Sequence, residues 1–161
     1  MSESYRGFYD ITEDIIARLK DAGCSVVTFG DTPDYMANQK NPVTPGCHIS
    51  PIGFSTGDVN TVQLSLWVYD MTTMVKLDRE QSANPIYGDK NTIDNLDTTM
   101  SIIDRFIRQI QARTVDMGNG GYYKLTTSPQ WSAEYEEGNV RVSGWIGTLN
   151  INMQNYTSSC P

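Results

Sequence analysis

The C-terminal third of the chain, from Pro129 to Met153, most constrains what this sequence can fold into. Trp131, Ala133 and Tyr135 alternate with Ser132, Glu134 and Glu136. A turn follows at Glu137-Gly-Asn139, and apolar residues then return on every second position up to Met153. Side chains on a strand point alternately to opposite faces, so this spacing predicts two long antiparallel strands forming a hairpin. The apolar parity shifts within the second strand. Val142 is even, whereas Trp145, Leu149, Ile151 and Met153 are odd. If only one face is buried, one extra residue must be absorbed, which predicts a β-bulge at Ser143-Gly144.

Upstream, residues 5–22 carry Phe8, Ile11, Ile15, Ile16 and Leu19 at three- and four-residue steps, the period of an amphipathic helix. Gly23 is placed to end it as the residue past the cap. Cys24–Phe29 reads as a short strand. Cys47–Phe54 reads as an edge strand, because Pro51 cannot donate to a ladder. Thr61–Tyr69 alternates most clearly, with Val62, Leu64, Leu66 and Val68 on one face. A second helix is expected from Thr92 to Arg113, capped by Asn91 or Thr92. Its stripe is Ile93, Leu96, Met100, Ile103, Ile107 and Ile110, widened by Ile102 and Phe106. Tyr122–Thr127 is a further strand.

The expected fold is one α+β domain spanning 1–161. A mixed, mostly antiparallel sheet of four to six strands packs against two helices, with long loops and a C-terminal β-hairpin. The Pro-, Gly- and Asn-rich segment 30–46 is read as a flexible loop. Segment 70–91 has no clear period, and 154–161 is a polar tail.

At 161 residues the chain is long enough for a core that needs no staples. Its net charge of −7 leaves no basic footprint for gripping nucleic-acid phosphates. Cys24, Cys47 and Cys160 fit no zinc spacing and read as reduced thiols. The start of the chain has no apolar run after a basic segment, and no stretch approaches a membrane span, so a soluble, non-secreted protein is expected.

No residue set points to a reaction. Gly118-Asn-Gly-Gly121 leaves a helix where a phosphate loop would enter one, and reads as a linker. The single histidine, His48, adjoins Cys47, and neighbours on a strand face opposite ways, so the two cannot act as base and nucleophile. Asp94, Asp97 and Asp104 read as the solvated side of a helix, without the His or Cys partners a metal site would add. The expectation is no catalytic residue, no metal and no cofactor. Tyr5, Tyr9, Trp67, Tyr69, Trp131, Tyr135 and Trp145 have acidic neighbours in Glu134, Glu136 and Glu137, which favours contacts between protein subunits over stacking on nucleic acid.

The order of elements, with the strand Gln63–Tyr69, the helix Asn95–Ile107 and the final Val142–Met153, resembles the tail terminator (tail completion) proteins of tailed bacteriophages. The resemblance is one of layout over most of the chain. It implies a non-enzymatic virion protein, made in the host cytoplasm, that forms a ring of its own copies, usually a hexamer. The ring would end the tail tube and join it to the neck and connector, with genomic DNA passing through unbound. Segments 30–46 and 70–91 would be ring-contact arms. The polar tail and the long last hairpin depart from the family pattern and leave another neck role open. The rival readings are a small-ligand or peptide-binding domain using a cleft under loop 30–46, and an enzyme built on His48 with a nearby carboxylate.

Overall fold

The computed structural model of the protein describes residues 7–31, 44–71, 92–111, 113–118, 121–137 and 141–153. Among these residues two helices and seven strands run in the order α1 (Gly7–Ala22), β1 (Val26–Phe29), β2 (Gly46–Ser55), β3 (Asn60–Met71), α2 (Thr92–Ile110), β4 (Thr114–Asp116), β5 (Tyr122–Leu125), β6 (Trp131–Glu137) and β7 (Arg141–Met153). The class is α+β, as the periodicities predict. The seventh strand is β4, three residues that sequence periodicity is too short to reveal.

The strands form one mixed sheet in the order β1-β2-β3-β7-β5-β4, with β6 also paired to β7. Among the described strands β1 and β2 pair in parallel, and the other pairs are antiparallel. Strand β7 is the spine. One side pairs with β3 from Val142 to Met153, and the other is shared by β6 at its start and β5 at its end.

Both helices cover one face of the sheet. Ile11, Ile15 and Leu19 of α1 and Ile102, Phe106 and Ile110 of α2 meet Cys47, Ile49, Leu64, Leu66, Val68, Leu149 and Ile151 in one buried cluster. Helix α1 stops as Gly23 predicts. Gly23, at φ 128°, donates its N–H to Lys20 O, and Cys24 donates to Leu19 O. This crossed pair satisfies two helix-end carbonyls in a Schellman motif.

Several sequence expectations are corrected. No bulge occurs at Ser143-Gly144. The β3–β7 register runs unbroken from Asn60↔Met153 to Met71↔Val142, and the β6–β7 register is likewise continuous. The parity shift has a different cause: the sheet buries both faces at this end. Val142 and Ile146 pack with Trp67 and Tyr69 on the face away from the helices. The register irregularity lies instead in β2, between Pro51 and Gly53. That strand is not an edge along its whole length either. Its first half lies between β1 and β3, and Pro51 falls beyond Ile49, where β1 ends.

Helix α2 ends at Ile110, short of Arg113, because the chain turns into β4 and buries Val115. Its inward face also differs near the start. Ile93 and Met100 are 43% and 52% exposed, while Asn95 and Thr99 are buried. Asn95 Nδ2 donates to Met71 O at 2.9 Å and Ser143 Oγ at 3.0 Å, and Thr99 Oγ1 donates to Asn95 O at 2.6 Å. The buried amide outcompetes the apolar side chains because it alone can satisfy the polar groups where β3 and β7 meet the helix.

The expected loop 30–46, segment 70–91, the cap at Asn91, residues Asn119 and Gly120 of the linker, the Glu137–Asn139 turn and the tail 154–161 fall largely outside the described residues.

Candidate functional site

His48 sits on β2 opposite Trp67 and is 5% exposed. Its Nδ1 is 2.7 Å from Thr28 Oγ1 on β1. Burial lowers the His48 pKa, partly offset by the backbone at Gly30. Cys47, the next residue, lies wholly in the core under the helices. The pair therefore points to opposite faces. Burial raises the Cys24 thiol to about 12 and holds Cys47 well above the ordinary thiol range, with the neighbouring Cys24 adding to the latter. Thiols so rarely ionised are inert packing groups.

Asp94, Asp97 and Asp104 are exposed on α2, and Asp104 pairs with Arg108 one turn on at 2.9 Å. Among the described residues no group of three His, Cys, Asp or Glu side chains is arranged to hold a metal. Gly118 takes φ 79° and donates its N–H to Asp116 Oδ1, a local turn that follows β4.

One partly buried polar link ties α1 to β5. Tyr123 OH donates to Asp14 Oδ2 at 2.6 Å, and Arg18 Nε approaches the same oxygen at 2.7 Å. Burial raises the Tyr123 pKa, and the hydrogen bond to the Asp14 carboxylate raises it further. Burial would lower the Arg18 pKa, but the Asp14 contact outweighs it and raises it. The group is a clamp between elements, closed around its own charges.

The aromatic residues divide. Trp67 and Tyr69 are interior, with ring centroids 5.4 Å apart. Trp131 and Trp145 pack against the core cluster, and Trp145 Nε1 donates to Leu96 O. Tyr9 and Tyr135 remain exposed at 56% and 55%. Tyr5 lies outside the described residues.

The surface that sequence reasoning missed is apolar. Phe8, Pro51, Ile52, Gly53, Phe54, Val62 and Met153 line a groove of about 480 Å³ at the end of the sheet where α1 begins. Phe54 and Ile52 are 64% and 54% exposed, and Phe8 meets Phe29 edge-on at 6.0 Å. The β2 irregularity produces the groove. Pro51 pairs with Leu64 and Phe54 with Val62, so the extra residue keeps Phe54 on the helix side, beyond the start of α1. The signal in the sequence was the apolar run around Pro51, which continues past the end of β1.

The opposite sheet face is polar at the same end. Thr61 Oγ1 donates to Asn152 Oδ1, and Gln63 Nε2 to Asn150 Oδ1, both at 2.9 Å. Ser65, Ser132, Thr148 and Asn150 continue it as a neutral groove of hydroxyls and amides.

No protein-family model matches the chain. No curated protein matches it either.

Proposed function

We propose that this protein is a structural subunit of a phage virion, acting at the tail–neck junction as a ring that ends the tail tube and joins it to the connector. The observation that carries this reading is the exposed apolar groove between Phe8 and Phe54. Contiguous apolar surface on a soluble domain marks an interaction site. Its position at one end of the sheet, away from the Tyr135 hairpin, suits a head-to-tail contact, the kind that closes into a ring. The described chemistry agrees. The buried His48, Cys24 and Cys47 lie inside the fold, and the polar clamps are closed on themselves. The neutral amide and hydroxyl face offers DNA no cluster of cations to hold it, which suits a lumen. None of the described helices is long and apolar enough to cross a membrane.

Native mass spectrometry with cryo-EM of the purified protein tests the reading, together with addition of the protein to tails that lack a terminator. A closed ring that restores head joining is the expected result. A monomer that leaves those tails unjoined would overturn it. The same groove fits an apolar peptide, which is the second reading. In that case a monomer would gain melting temperature on adding such a peptide.

A further inference from the structure

Strand β6 has a partner on one side. It pairs with β7 from Trp131↔Gly147 to Glu137↔Arg141, and among the described residues nothing pairs with its outer edge. Which backbone groups lie on that edge follows from β7. Asn150 O accepts the Thr126 N–H on the β5 side of β7. The register of β7 with β3 is unbroken, so its other even-numbered residues turn the same way, because backbone groups alternate sides along a strand. Their partners on β6 are Ser132, Glu134 and Glu136. Trp131, Ala133 and Tyr135 therefore turn their N–H and C=O groups outward. Residues 132 to 135 are all exposed, so the edge is open to solvent. Neither a proline nor a register break interrupts it, in contrast to β2 at Pro51.

The two faces of this edge differ. Trp131 packs on the core cluster, and Ala133 and the 55%-exposed Tyr135 continue its face. Ser132 and Glu134 stand on the other. The strand is acidic, with Glu134, Glu136 and Glu137 and no cation between Trp131 and Glu137. Two copies of β6 laid side by side would bring these glutamates together, and like charges across a strand pair destabilise it. The described strands at the ends of the sheet, β1 and β4, read Val-Val-Thr-Phe and Thr-Val-Asp and bring no cation either.

We infer that the outer edge of β6 docks an extended basic segment of another protein, added to the sheet as a further strand. The backbone of the segment pairs with Trp131, Ala133 and Tyr135. Its lysines or arginines face Glu134, and its alternate apolar side chains lie against Ala133 and Tyr135. Strand addition takes affinity from main-chain hydrogen bonds and specificity from alternate side chains. The charge that turns away a second β6 also selects a cationic partner. The inference stands apart from the ring reading, because it uses neither the apolar groove nor self-association.

The probe is a capped peptide alternating lysine and valine, added to the full chain and followed by amide hydrogen exchange in NMR. The amides of Trp131, Ala133 and Tyr135 should exchange freely in the unbound protein. With peptide at ten times its Kd they should slow about tenfold, while Ser132 and Glu134, already bonded to β7, change less. The same peptide with glutamate for lysine should not bind, nor should one N-methylated along its pairing edge. Glu134→Lys should reverse the preference between the two charged peptides. Ala133→Pro removes an N–H that β7 does not use, so it should melt near the wild-type temperature and lose the lysine peptide. Millimolar lysine peptide that leaves the Ala133 and Tyr135 amides unprotected would overturn the inference. So would equal binding of the N-methylated peptide, which would reduce the contact to charge alone, or a Glu134→Lys variant that keeps the wild-type preference.

Discussion

The side chain of Tyr69 lies directly over Gly46, its cross-strand partner on β2. A Cβ added at Gly46 would come within 2.6 Å of the Tyr69 hydroxyl and 2.7 Å of the ring carbon that bears it. On its other side Tyr69 pairs with Gly144 of β7. A bulky aromatic side chain is buried between two strands because both neighbours lack a side chain.

Gly144 is the tighter of the two. A Cβ there would stand 1.9 Å from Val68 O and 2.7 Å from Tyr69 Cα, both backbone atoms that no rotamer change can move. Gly144→Ala should therefore destabilise more than Gly46→Ala, by about 3 kcal/mol or more against about 1–3 kcal/mol. Gly53→Ala is the control, because its nearest neighbour would be Gln63 Oε1 at an ordinary 3.5 Å. Urea melts of the three variants check the order, and equal midpoints for Gly144→Ala and Gly53→Ala would refute it.

These glycines also show how far the sequence could be read. The alternation Val62-Leu64-Leu66-Val68 gave β3 and its buried face directly, because four β-branched or leucine side chains at period two have no helical reading. The Gly23 stop was equally legible, since a Schellman ending needs only a local left-handed residue. The parity shift in β7 was legible as a signal but not as a cause. Period alone cannot tell a bulge from a sheet that buries both faces, and the second buried face depends on Trp67 and Tyr69, more than 70 residues away. The parallel pairing of β1 with β2 and the apolar groove were illegible for the same reason. Both depend on which strand ends first, as β1 does at Phe29.

Asn95 should prove to be the anchor of the N-terminal half of α2. Its amide donates to Met71 O and Ser143 Oγ, joining the helix to the ends of β3 and β7. Asn95→Leu keeps the volume and removes the donor, which should cost about 1–3 kcal/mol. Hydrogen exchange should then quicken in the first turns of α2 more than at Phe106, which packs independently of that link. Uniform loss of protection along the helix would argue against a local anchor.

Ile103 and Ile107 lie on the face of α2 that meets α1 and the sheet, at 6% and 9% exposure. A carboxylate placed there has no partner and costs several kcal/mol. That approaches the whole stability of a domain, about 5–15 kcal/mol. Ile103→Asp and Ile107→Asp should each abolish soluble expression, whereas Met100→Asp, one turn away on the exposed side, should not. Soluble, wild-type-like melting of Ile103→Asp would remove this face from the core.

His48 gives the fold a pH dependence of defined sign. Burial lowers its pKa below the ordinary 6.5. The unfolded chain therefore takes up its proton at a higher pH than the folded one, so stability rises with pH in this range. The contribution is complete above pH 6.5 and is lost as the pH falls from there through the depressed folded value. Protonation makes both ring nitrogens donors, so Thr28 Oγ1, 2.7 Å from Nδ1, must then accept. His48→Gln removes the titration while keeping a polar side chain. Its stability should be flatter than wild type between pH 7 and pH 5 in urea melts, because the group that titrates there is gone. Ring formation at pH 7.5 should be unchanged, since the histidine is interior and neutral at that pH. A variant with the wild-type pH slope would show that another group carries it. A folded variant that no longer assembles would give His48 a role that its buried position does not predict.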